Sequence, residues 1–151
     1  MTFQEYYDNL NPEIKKYYKI LTSVFPRFII KYIETPTMMR LKDISYFCGM
    51  ENGPKGVYKF RYYISRLDHS ISTSLITWNI TYNEKATLEA LFHDANTPAL
   101  SHVIDYMNDD AVNQESTEKG LKEYLSKVDG AKTYGELKKN GVLKFNAGGV
   151  D

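Results

Sequence analysis

The chain has one cysteine, Cys48, one tryptophan, five prolines and three histidines among 151 residues. A lone cysteine excludes an intrachain disulfide and suits a reducing compartment. A surplus of either charge is also lacking: nineteen Lys and Arg balance nineteen Asp and Glu. No general field therefore draws the chain to nucleic acid or to an anionic membrane, although the balance says nothing of a local patch. Long apolar runs are missing too. The most apolar stretch, from Phe25 to Ile33, is broken by Pro26, Arg27 and Lys31 and cannot span a bilayer. The start, Met1-Thr2-Phe3-Gln4-Glu5, lacks the basic residues and apolar run of a signal peptide. These absences lead to the expectation of a soluble, cytoplasmic protein without a membrane partner. No internal repeat or low-complexity tract is visible.

What is present fits one globular domain. With 42% hydrophobic and 25% charged residues, a chain of this length can bury a core unaided. Asn11-Pro12-Glu13 reads as a helix start, with a capping side chain, proline in the first turn and an acid near the positive dipole end. Ile14, Tyr17, Tyr18, Leu21 and Phe25 follow at helical spacing. Further helical stretches are expected over Phe28 to Ile33 and from Met38 through Ile44, with a loop from Gly49 to Gly56. The strongest helical pattern runs from Tyr58 to Ile80, with Tyr62, Leu67, Ile71, Leu75 and Trp78 as expected core contacts. Lys85 to Asp94 reads as a short buried helix ended by Thr97-Pro98. Further helices are expected over Ala99 to Met107 and from Ser116 through Leu125. Glycines then interrupt every pattern after Asp129. The fold expectation is all-α: a helical bundle over 1–129 with a weakly structured, irregular tail over 130–151.

The residues with chemistry cluster in sequence. Arg66 and His69 are three apart, so they share a helix face, and His102 and Asp105 repeat that spacing. Between them stands the pair His93-Asp94, inside the stretch "LFHDANTPALSH". Imidazole and carboxylate together suit zinc, manganese, iron or nickel, and bundle cores are a usual place to build such sites. The competing reading is plain: a His-Asp pair is often a capped helix end, and a lone His69 is often a core histidine satisfied by a carbonyl.

Order and context favour the metal. "RLDHS" at Arg66 to Ser70, followed by "ALFHDANTPALSHVID" at Ala90 to Asp105, resembles the HD-domain metal-dependent phosphohydrolases. The resemblance is closest to the branch containing deoxynucleoside triphosphate triphosphohydrolases. "ETPTMMRLKDI" at Glu34 to Ile44 is similar to the Thr-Pro-x-x-x-Arg-Leu segment of that branch. The resemblance covers about Phe25 to Glu118. It implies an HD-type helical domain that binds a divalent ion (Mn, Fe, Ni, Zn or Mg) through His69, His93 and Asp94. It also implies phosphate contact by Arg66 and proton transfer or orientation by Asp105 with His102. A planar guanidinium pairs two phosphate oxygens at once, and a bound ion activates water near neutral pH.

Three departures stand out. Thr97 occupies the place of a family histidine, and a threonine cannot do imidazole acid–base work near pH 7. Tyr46 stands nearest the place of a glutamine that reads deoxyribose. The distal aspartate of the family has no counterpart in an expected helix, which leaves Asp129, Asp151 or no residue as fourth ligand. The expected function is a divalent-metal-dependent phosphohydrolase acting on a nucleotide or related phosphate ester. The alternative is a catalytically impaired HD module that binds a nucleotide or a protein partner without turnover. The chain is also expected to be compatible with being the amino-terminal portion of a longer family member, or with completing its core as a homo-oligomer. The thirteen tyrosines suit half-buried core edges.

Overall fold

Two short helices open the chain, each started by its own side-chain cap. A computed structural model describes residues 1–54, 56–99, 127, 130–139 and 141. Helix α1 spans Phe3–Asn9 and begins with a capping box between Thr2 and Glu5. The hydrophobic period does not announce it; the Thr-x-x-Glu signature does. Helix α2 spans Pro12–Leu21, with Asn11 accepting from the Glu13 amide, as the Asn-Pro-Glu start leads one to expect. Ile14 and Tyr18 are buried while Tyr17 is half exposed.

A 3₁₀ turn over Arg27–Ile29 leads into α3, Ile30–Ile33. Helix α4, Pro36–Met39, is capped by Thr35 and continues as a 3₁₀ turn over Arg40–Asp43. Helix α5, Arg66–Thr81, is the long element, and α6, Glu84–Phe92, returns against it. Tyr82 in the left-handed region (φ 48°) ends α5, and the Asn83 side chain caps α6. The reversal between them takes two residues, so α5 and α6 pack side by side.

The start of α5 differs from the Tyr58 onset that the apolar pattern leads one to expect. Ser65 is extended and caps the helix through a box with Asp68. The chain just before it pairs with another segment: the Tyr46 amide donates to the Ile64 carbonyl at 3.0 Å and the Arg66 amide to Ile44 at 2.8 Å. Those backbone groups are spent on the Ser45–Ser65 bridge and cannot also build a helical turn. This bridge, isolated among the described residues, fixes Tyr46 beside the first turn of α5.

The core forms where these faces meet. Leu67, Ile71 and Leu75 of α5 are fully buried at four-residue spacing, against Leu88, Leu91 and Phe92 of α6 and Ile29 and Ile33 from the α3 region. Ser70 and Ser74 are also buried on α5, and the Ser74 hydroxyl donates to the Ile71 carbonyl one turn back. Tyr62 and Trp78, expected in the core, are only half-buried.

The irregular tail expected over 130–151 is corrected in its first ten residues. Helix α7 spans Gly130–Lys139 and buries Leu137 completely. Glycine weakens a helix by about 1 kcal/mol per site, and tertiary burial overrides it here. Gly141 (φ +73°) donates its amide to the Lys138 carbonyl and closes the helix end. The expected helix over Ala99 to Met107, apart from Ala99 itself, and the one from Ser116 through Leu125 lie outside the described residues. The described chain is all-α, and no helix in it is long and apolar enough to cross a membrane.

Helix α7 offers a contrast in magnitudes. Glu136 pairs with Lys31 at 2.9 Å in an exposed ion pair, which is worth little in water. Leu137→Ala is expected to cost about 2–4 kcal/mol, whereas Glu136→Ala should stay within about 0.5 kcal/mol. Urea denaturation of the two variants measures both, and equal losses would mean that α7 does not dock through Leu137.

Candidate metal centre

Three side chains from two elements converge where α5 begins and α6 ends. His69 sits in the first turn of α5. His93 and Asp94 follow the last residue of α6, where the chain turns: the Ala95 amide donates to the Phe92 carbonyl and the Thr97 amide to the Asp94 carbonyl, each at 3.0 Å. The helix thus stops at Phe92, short of Thr97-Pro98, and the turn swings two adjacent side chains to the same side. Arg40 secures this turn from outside, donating Nη2 to the Ala95 carbonyl at 2.9 Å.

The three candidate donor atoms form a small triangle. His69 Nε2 lies 3.1 Å from His93 Nε2 and 3.5 Å from Asp94 Oδ2, and His93 Nε2 lies 3.3 Å from that same oxygen. Ligand bonds of about 2.1 Å give ligand–ligand edges of about 3.0 Å at right angles and about 3.4 Å at the tetrahedral angle. The 3.1 and 3.3 Å edges fall inside that range and the 3.5 Å edge lies just above it. Among the described residues this trio is the group of imidazoles and carboxylates that could hold a metal ion. Tautomer chemistry agrees. His93 Nδ1 is 2.7 Å from the Ala90 carbonyl, which can only accept, so Nδ1 carries the proton. Neutral His93 then presents its lone pair from Nε2, towards the triangle.

Electrostatics concentrate on Asp94, whose side chain is only 10% exposed. Burial opposes its ionisation, but the His93 hydrogen bond and the charges of His93, Arg66 and His69 outweigh burial and hold the carboxyl far below the usual carboxylate range. Burial likewise pulls the His93 imidazole down. The Asp94 hydrogen bond and charge, together with the Ala90 carbonyl, outweigh burial and leave its pKa raised.

Arg66 shares the cluster, as its place three residues before His69 leads one to expect, but its partner is a carboxylate. Nη1 donates to Asp94 Oδ2 at 2.9 Å and Nη2 approaches Cys48 Sγ at 3.8 Å. The residue is buried, and the exposed Tyr46 ring covers its guanidinium, with Cζ 5.1 Å from the ring centroid. The same ring lies 4.9 Å from the His69 ring. Tyr46 therefore roofs both the arginine and the first histidine. Cys48 reaches the cluster through a left-handed backbone (φ 54°) next to Gly49 (φ 83°). Thr97, where the resembled family has a histidine, is buried in the turn.

His102 and Asp105, and the fourth-ligand candidates Asp129 and Asp151, lie outside the described residues. Sequence reasoning missed Cys48 as a neighbour of Arg66 and the Ala90 carbonyl that orients His93. No local pattern marks either, because both contacts are made by the fold. Compared with protein-family models, with curated proteins and with solved structures, the chain finds no match.

Proposed function

We propose that the protein is an HD-type, divalent-metal-dependent phosphohydrolase acting on a nucleotide or related phosphate ester. The observation that carries the reading is the triangle of two imidazole nitrogens and one carboxylate oxygen with edges of 3.1, 3.3 and 3.5 Å. Two nitrogens and one oxygen favour manganese, iron, nickel or zinc over magnesium, which prefers oxygen ligands. When bound, such an ion supplies Lewis acidity to a phosphoryl oxygen and to water. The chain's own part is orientation: the Ala90 carbonyl sets the His93 tautomer, Arg40 braces the turn through Ala95, and Tyr46 shields the Arg66 side of the site. His102 and Asp105 are proposed to move protons at the water or leaving group.

A second reading, an HD module that binds a nucleotide or protein partner without turnover, is favoured by one feature. A buried threonine, Thr97, stands where the resembled family has an acid–base imidazole. General acid–base help is typically worth about 10²–10⁴-fold, so its absence slows metal-assisted attack without abolishing it. The expected result is slow, manganese-stimulated hydrolysis across a nucleotide panel, lost in a His93→Ala, Asp94→Ala double variant. Background turnover by both proteins, with nucleotide binding retained, would leave the binding module standing.

A further inference from the structure

The metal-centre reading leaves one charge unassigned, the Arg66 guanidinium at the centre of the cluster. We propose that Arg66 is a built-in counter-ion for Asp94, so that loading the site with a divalent cation exchanges guanidinium for metal. The proposal rests on that reading and concerns how the same site is regulated.

The contact falls on a telling atom. A residue that merely steadies a metal-binding carboxylate can bond to the oxygen turned away from the ion. Arg66 Nη1 instead meets Oδ2 at 2.9 Å, the oxygen that lies 3.3 Å and 3.5 Å from the two imidazole nitrogens. One oxygen thus serves both the guanidinium and the position a metal would occupy. Two lone pairs let it hold both, but each cation weakens the oxygen's bond to the other, and the two positive charges repel across it.

Charge and burial point the same way. The Arg66 and Asp94 side chains are 5% and 10% exposed, so each offsets part of the other's cost of leaving water, beside the His93 contribution to Asp94. Their charges cancel, and with neutral imidazoles the cluster is balanced before any cation arrives. A divalent ion then enters against a fixed positive charge nearby. Removing that charge leaves Asp94 buried and in need of a cation, which a metal can supply.

The structure also provides a place for the guanidinium once Asp94 is surrendered. Nη2 already approaches Cys48 Sγ at 3.8 Å, and the Tyr46 ring face covers Cζ at 5.1 Å. A soft acceptor and an aromatic face can retain an arginine cation that has lost its carboxylate. The exchange therefore needs a small shift of Arg66 and no opening of the bundle.

Titration of the full chain with Mn²⁺ or Zn²⁺ alone, by calorimetry and by thermal melting, tests the exchange. Arg66→Met is expected to melt lower than wild type without the ion. It should bind the ion at least about tenfold tighter and show a larger ion-induced rise in Tm. Arg66→Lys, which keeps the cation, should stay near wild type. Arg66→Gln, which removes the charge while retaining a donor, should also bind tighter and replaces the Met variant if that fails to fold. Equal or weaker metal binding by the neutral variants would overturn the proposal and make Arg66 a positioning residue for Asp94. Absence of binding in wild type and in every variant would instead overturn the metal centre itself, and the exchange with it.

Discussion

Asp68→Ala is expected to cost about 3–5 kcal/mol of stability, a large share of the roughly 5–15 kcal/mol that holds a domain together. Asp68 is buried just before His69 and accepts four hydrogen bonds. The Tyr6 and Tyr18 hydroxyls meet Oδ1 at 2.7 and 2.9 Å, while the Ser65 amide and hydroxyl meet Oδ2 at 3.0 and 2.8 Å. One carboxylate thus ties α1 and α2 to the first turn of α5. Burial, reinforced by the Asp68 charge, raises both phenol pKa values and keeps the hydroxyls as donors. Truncation strands the Tyr18 phenol, leaves the Tyr6 hydroxyl only Ser65 Oγ at 3.0 Å, and removes the Asp68 half of the capping box. Desolvated donors left without acceptors account for most of the cost. A melting temperature lower by about 10 °C follows for a chain of this size. Asp68→Asn keeps the shape without the charge and should fall between the two. A melting temperature for Asp68→Ala within 2 °C or so of wild type would show that this junction does not hold the bundle together.

The same residue shows what was legible in the sequence. Ser65-Arg66-Leu67-Asp68 is a capping-box spacing, yet the apolar residues from Tyr58 onward suggest a helix already under way. The box prevails because the backbone before it pairs with residues 44–46, a contact invisible to any local window. Leu67, Ile71 and Leu75 were readable because a four-residue apolar spacing needs no knowledge of its partner. Leu137 was not, because glycines on either side mask a helix whose stability comes from docking. In the candidate site, the motif order singled out His69, His93 and Asp94, and the fold brings the three together through the short reversal at Tyr82-Asn83. The Arg66–Asp94 contact was not legible, because it depends on how the turn after α6 swings.

The stabilising effect of a bound divalent ion is expected to be small near pH 5.5 and to grow steeply by pH 8. The raised pKa of His93 means that the folded protein holds this proton more tightly than the unfolded chain does. Its contribution is therefore complete below the ordinary value of 6.5 and is lost as pH rises through the folded value. Asp94 has the opposite sign. Its contribution is present above the ordinary 3.8 and disappears only when strong acid reaches its lowered folded pKa. Between about pH 4 and pH 6.5 the ion-free cluster thus keeps both contributions: protonated His93 serves as a partner for ionised Asp94. Metal must displace that proton, so its apparent affinity falls by about tenfold per pH unit for each proton released. Above the His93 pKa the Nε2 lone pair is open while the proton's contribution has gone, and the ion takes over as counter-charge. Melting curves with and without Zn²⁺ from pH 5.5 to 8 measure the difference directly. His69→Ala should flatten it, with affinity down by about 10²-fold or more, since even the loss of an outer hydrogen-bond partner of a ligand costs about 10–100-fold. An ion-induced shift that is the same at every pH, or that survives His69→Ala, would place the ion somewhere other than this triangle.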